Sequence, residues 1–148
     1  MSRSVMVLGF LFLLLLPSSS PAYSQPTPEG HQLSLDGFDM YYETLGEGEP
    51  LLLVHGWSGN TTYFGPLLEP LAQRYHLIIP DLRGHGRSTN PGGTFTMGQA
   101  AEDLFALLNH LGVDRTRAIG ASAGGIILLH MSTGHPFGLS QGVSTCRS

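Results

Sequence analysis

Arg117-Ala118-Ile119-Gly120-Ala121-Ser122-Ala123-Gly124-Gly125-Ile126-Ile127-Leu128-Leu129-His130-Met131 is the stretch that decides how this chain folds. Arg117 to Ala121 is a short apolar run with the character of a strand buried on both faces. Ala123 to Met131 is an apolar helix. Between them Gly120-Ala121-Ser122-Ala123-Gly124 matches G-x-S-x-G at the place where such a motif has a physical meaning. A strand that turns straight into a helix forces the residue at the turn into a strained backbone conformation. Glycines two positions to either side remove Cβ atoms that would collide there. The serine then projects above the carboxyl edge of the sheet, at a helix N-terminus whose dipole favours developing negative charge. Ser122 is therefore a candidate nucleophile. The competing reading, a helix start that happens to be rich in small residues, lacks a reason for the preceding buried strand.

Working back toward the N-terminus, the pattern repeats. Thr96 to Leu111 is an amphipathic helix with Ala100, Leu104, Leu107, Leu108 and Leu111 on one face, Thr96 placed to cap it and Gly112 to end it. Asp81 to Thr94 is glycine-rich, without period, and reads as a loop. His76 to Pro80 and Leu51 to Val54 are buried strands. Between them Thr61 to Tyr75 shows helical spacing of apolar residues, with Pro66 suited to a first turn and Pro70 implying a kink or a later start. Gly46 to Pro50 reads as a turn. Phe38 to Leu45 alternates, as does Gln32 to Leu35, and Asp36-Gly37 supplies a hairpin turn between them. From Leu51 onward the order strand, helix, strand, helix, strand, helix specifies the α/β class, a parallel sheet with helices on its faces.

Residues 1–24 read as a secretory signal peptide: Arg3 at the start, an apolar run of 12 residues from Val5 to Leu16, a break at Pro17, and Ala22-Tyr23-Ser24 as a small-x-small cleavage pattern. The alternative, an uncleaved anchor, conflicts with a bilayer's need for about 20 apolar residues, so no stable membrane span is expected after cleavage. Residues 25–31 are expected to be a loose mature terminus, and the location secreted or periplasmic. The chain from Gln25 holds six Arg, no Lys and eleven carboxylates, a formal charge of −5 with no basic cluster, which removes electrostatic support for nucleic-acid binding. Cys146 is the single cysteine, so neither an intramolecular disulfide nor a cysteine-rich zinc site is available. N-terminal sequencing of the mature protein should begin at Gln25; a start at Met1 or Ser2 contradicts the signal-peptide reading.

Three motifs in register resemble the α/β-hydrolase superfamily of the fold-1, serine hydrolase type: Val54-His55-Gly56-Trp57 after one strand, Pro80-Asp81-Leu82-Arg83-Gly84-His85-Gly86-Arg87-Ser88 after the next, and Ile119 to Gly125 after the third. The resemblance covers about residues 32 to 136, an N-terminal portion of that domain, so the fold expected is an α/β-hydrolase fold truncated after the nucleophile elbow and its helix. It implies Ser122 as nucleophile and the backbone N–H groups of Trp57 and Ala123 as an oxyanion hole, with His55, Gly56, Gly120 and Gly124 shaping the supporting loops. His55 is expected to be structural, its ring bonded into its own loop. Arg83, His85 and Arg87 could mark an anion site, but the resemblance implies a structural brace that includes Asp81. It implies hydrolysis of an ester or related acyl bond of a small organic substrate, with no metal and no organic cofactor. Serine at the elbow argues against the dehalogenase and epoxide-hydrolase branches, whose nucleophile is a carboxylate.

The sequence departs from the family after the elbow. The family order is Ser, then Asp or Glu, then His, yet no Asp or Glu follows Ser122, and only His130 and His135 do. His130 lies eight residues into the helix, roughly 12 Å along its axis at about 1.5 Å per residue, beyond hydrogen-bond reach. The strand Arg117 to Ala121 is thereby expected to be an open sheet edge. Residues 137–148 form an atypical tail without apolar period. One choice of codons for Pro136 to Gln141, read one base earlier, gives Leu-Arg-Val-Glu-Ser, which resembles the family's continuation. A reading-frame shift near codon 136 stands beside a naturally divergent end. Two functional readings follow: a serine-dependent hydrolase incomplete in this chain, or a catalytically inactive remnant lacking the triad acid and histidine. A third, a secreted binding module, would still need a closed core.

Overall fold

The computed structural model describes residues 27–134 and 144–146. The expected signal peptide, 1–24, and most of the tail, 137–148, lie outside the described residues. The chain builds one mixed sheet. Strands β1 (Glu29–Leu35) and β2 (Phe38–Leu45) form a hairpin, turning at Gly37 with φ of 83°. Then follow β3 (Glu49–Val54), a 3-10 turn (Thr61–Phe64), α1 (Gly65–Ala72), β4 (Tyr75–Pro80), α2 (Met97–His110), β5 (Arg117–Ala121), α3 (Ala123–Gly134) and β6 (Ser144–Cys146). The strand order is β1-β2-β4-β3-β5-β6. β2 meets β4 antiparallel, and β4, β3, β5 and β6 run parallel.

The central strands are apolar throughout because both faces of the sheet are covered. Leu52 and Val54 of β3, Ile78 of β4 and Ala118 of β5 pack under α2 and α3, together with Leu104, Leu107, Ile127, Leu128 and Met131. Leu51, Leu53, Leu77 and Ile79 point the other way, onto Phe64, Leu68 and Leu71 of the 3-10 turn and α1. Thr96 caps α2 as expected, its Oγ1 accepting from the N–H of Gln99 at 3.1 Å. β5 has its expected bounds.

Four expectations need correction. The mature terminus is not loose over all of 25–31, because Glu29 to His31 pair with Thr44 to Tyr42 in the hairpin ladder. That ladder is a backbone interaction and needs no apolar alternation. β3 begins at Glu49, since Glu49 and Pro50 are already in register with Tyr75 and His76 of β4; the turn is correspondingly shorter. The helical spacing read between Thr61 and Tyr75 is divided into a 3-10 turn and the shorter α1, with Pro66 in the first turn, as expected, but Pro70 inside the helix rather than at a later start. Pro70 lacks the N–H that would bond back to Pro66, and only Leu71 and Ala72 follow it in the helix. Finally, β5 is not an open edge. Ile119, Gly120 and Ala121 pair with Ser144, Thr145 and Cys146 of β6 in the segment that shows no apolar period.

Candidate active site

The carboxyl ends of β3, β4 and β5 converge on one small region. Ser122 is the single residue between β5 and α3 and adopts φ of 50°, in the left-handed region that costs a non-glycine residue roughly 1–3 kcal/mol. Its carbonyl accepts from the N–H of Gly125 at 2.9 Å, which starts α3, and its side chain is exposed. Gly120 and Gly124 are what allow this turn. A Cβ on Gly120 would lie 2.5 Å from the carbonyl carbon of Gly124. A Cβ on Gly124 would overlap the carbonyl oxygen of Val54 and lie 2.7 Å from that of His55. The elbow is therefore packed backbone to backbone against the end of β3.

That contact brings the two halves of the expected site together. A Cβ on Gly56 would stand 3.3 Å from the Ser122 Cβ and 3.1 Å from the Ala121 oxygen, so the loop after β3 borders the serine directly. Trp57 follows at once and is 63% exposed. Ser58 has φ of 63°, a second non-glycine residue in the left-handed region, and Gly59 donates to the Gly56 carbonyl at 3.0 Å to close a tight turn. Ala123 is the first residue of α3, so its N–H is among those that a helix leaves without an internal acceptor.

Both ring nitrogens of His55 are hydrogen-bonded within the fold. It is 1% exposed. The N–H of Leu82 donates to its Nε2 at 3.0 Å, so Nδ1 carries the proton and donates to the Gly56 oxygen at 2.8 Å. The ring ties the loop after β3 to the loop after β4. Burial pushes its pKa below the ordinary histidine value, and the neighbouring His85 pushes the same way; the Gly56 bond and Asp81 oppose them.

The loop after β4 is a brace. Asp81 is fully buried and accepts from the N–H of Thr61 at 2.6 Å and of Arg87 at 2.7 Å. Ser88 Oγ donates to the Asp81 carbonyl at 2.7 Å and accepts from the Tyr41 N–H at 2.8 Å. Arg83 forms a two-pronged ion pair with Asp103 of α2, at 2.9 and 2.7 Å, and lies over the Phe38 ring. The Asp103 bonds raise the Arg83 pKa further. Arg87 reaches Glu43 at 2.6 Å and stacks on Tyr41. Both arginines are thus committed to partners within the fold rather than arrayed as an anion site. Sequence reasoning missed Asp103, Ser58 and Phe95. Asp103 had a signal, an acidic residue inside the apolar stripe Ala100-Leu104-Leu107.

The model of the alpha/beta hydrolase fold family matches residues 49–146. The chain belongs to that family. A soluble epoxide hydrolase of Corynebacterium sp. (strain C12) is 36% identical over 102 residues, which are 69% of this α/β-hydrolase chain and 36% of the relative. A non-heme haloperoxidase of Rhodococcus erythropolis is 37% identical over 91 residues, 61% of this chain and 33% of that protein. Among solved structures, the epoxide hydrolase CorEH superposes with a TM-score of 0.72 at 33% identity, over 75% of this chain and 39% of that one. Est816, an N-acyl homoserine lactone degrading enzyme, does so with 0.69 at 36% identity, over 72% and 41%. This α/β-hydrolase chain thus spans little more than a third of the length of these relatives. No helix among the described residues is long and apolar enough to cross a membrane.

His55 makes the stability of this arrangement sensitive to acid. Its native ring is neutral with a lowered pKa, so on acidification the unfolded chain takes up a proton before the folded one does. A protonated Nε2 would also face the Leu82 N–H, donor against donor. The contribution is complete above about pH 6.5 and is lost as pH falls through the lower native value. Denaturant titrations between pH 8 and pH 5 should show a falling midpoint whose slope is shallower in His55→Gln; an equal slope in the variant would assign the acid sensitivity elsewhere.

Proposed function

We propose that this chain carries the nucleophile and oxyanion half of a serine-hydrolase site for an ester or related acyl bond of a small organic molecule. The observation that supports this most is the strained, exposed Ser122 at the N-terminus of α3 with the Gly56 loop against it. In this reading Ser122 Oγ attacks the carbonyl carbon, and the oxygen that becomes negative is met by the N–H groups of Trp57 and Ala123. Such donors are commonly worth about 10²- to 10³-fold each in rate. The leaving alcohol departs with a proton, and water then releases the acid from the acyl-serine. A histidine base paired to a carboxylate is needed for full rate. The likeness to epoxide hydrolases is one of scaffold, and serine at the elbow favours the acyl reaction over a reaction that starts from a carboxylate nucleophile.

A second reading, that Ser122 takes its positive φ only to make the tight strand-to-helix turn and does not react, is open to the same geometry. A serine-directed fluorophosphonate separates the two. Under the first reading the folded chain is labelled at Ser122, slowly, and both heat treatment and Ser122→Ala abolish the label. No labelling above the heat-treated control, or labelling that survives Ser122→Ala, contradicts it.

A further inference from the structure

Three aromatic rings from two loops, the one after β3 and the one after β4, meet one another. Trp57 packs edge-on against His85 at 5.6 Å and against Phe95 at 5.4 Å, and His85 and Phe95 are 5.5 Å apart. Each ring is anchored from behind. Trp57 is attached to the Gly56 turn that borders Ser122. His85 Nδ1–H donates to the Arg83 carbonyl at 3.0 Å, and Phe95 packs on the core beneath α2. Edge-to-face contacts of this kind hold rings in fixed relative orientation. Yet Trp57 stays 63% exposed, the highest exposure among the exposed large hydrophobic residues described. A rigidly held, solvent-facing indole one residue from the serine's border loop is pre-organised to meet an apolar group. The nearby cations are not available to recruit a charged one, since Arg83 and Arg87 are paired with Asp103 and Glu43.

We propose that Trp57, His85 and Phe95 form a three-ring wall that takes the apolar substituent of the scissile carbonyl. The wall rests on the serine-hydrolase reading for its role in catalysis, but its binding can be read separately. If a carbonyl oxygen sits at the Trp57 N–H, the side chain of that same residue flanks one of the two groups attached to the carbonyl carbon. The wall therefore favours apolar chains on that group, by contact area rather than by hydrogen bonding.

Trp57 is the only tryptophan in the chain, so its emission reports on the wall directly. The full chain carrying Ser122→Ala, in which turnover is switched off, is titrated with methyl acetate and with two isomers, methyl pentanoate and butyl acetate. One isomer at least should give a saturable blue shift and protect Trp57 from acrylamide quenching, each added methylene tightening binding by up to about 4-fold. The isomer that does so tells whether the acyl or the alcohol side meets the wall. Phe95→Leu, which keeps apolar volume against the core but removes the ring, should weaken that preference several-fold in a chain that still unfolds cooperatively, with a modestly lower melting midpoint. Absence of a saturable response to both isomers overturns the proposal, and an unaltered preference in a stably folded Phe95→Leu overturns its three-ring form. A fluorescence response in a chain that fails fluorophosphonate labelling would remove the serine chemistry and leave the binding wall; labelling without a response would do the reverse.

Discussion

Gly124 touches the last carbonyls of β3, and much else in the upper half of the molecule depends on that contact. The Val54 and His55 oxygens lie where a side chain on residue 124 would have to go. Because the helix start and the strand end meet at backbone distance, the Gly56-Trp57 loop and Ser122 are brought side by side. The same closeness sets Ser122 in the left-handed region, so the strain of that residue is held by packing around it. Two neighbouring strands of a parallel sheet ending at the same level, each followed by a tight turn, are enough to create the geometry. The site's position at the carboxyl edge then follows from the topology.

The loop after β4 keeps this edge from spreading. Asp81 holds the N–H groups of Thr61 and Arg87 from opposite sides, His55 reaches across to Leu82, and the Arg83–Asp103 pair fastens the loop to α2. Apart from the Asp81–Arg87 bond within the loop, these bonds join segments at least 20 residues apart in sequence. Removing one partner of such a buried pair leaves the other without compensation, commonly at about 3–5 kcal/mol. The aromatic trio sits on this brace: His85 belongs to the loop itself, and Phe95 stands at its far end. A rigid floor and an exposed Trp57 are thus consequences of one set of polar ties.

Most of the architecture was legible in the residues. The buried strands Leu51 to Val54, His76 to Pro80 and Arg117 to Ala121 announced themselves by apolar continuity, and α2 by its stripe and its Thr96 cap. What escaped had a physical reason in each case. Pairing of Glu29 to His31, and of Ser144 to Cys146, uses backbone groups that carry no signature in side-chain pattern. The break near Gly65 reflects a 3-10 turn, which a helical period of apolar residues does not distinguish from the first turn of an α-helix. At the site, the G-x-S-x-G motif pointed to Ser122 and the family resemblance to Trp57 and Ala123, while the closeness of the Gly56 loop to Ser122 is visible only in the fold. Phe95 carried no signal, since a glycine-rich loop without period does not tell which of its residues turns inward. Ser58 likewise looked like an ordinary loop serine until its positive φ was seen.

The contact between Gly124 and the end of β3 can be tested against a glycine that has room. Gly98, in the first turn of α2, has nothing within 4 Å of a Cβ built on it. Thermal unfolding of Gly98→Ala and Gly124→Ala compares an added methyl group in open space with one placed on two carbonyl oxygens. Gly98→Ala should melt at or slightly above the parent's midpoint, and Gly124→Ala lower by about 10 °C or more. A Gly124→Ala protein that melts with the parent would contradict the claim that this backbone crossing holds the elbow in place.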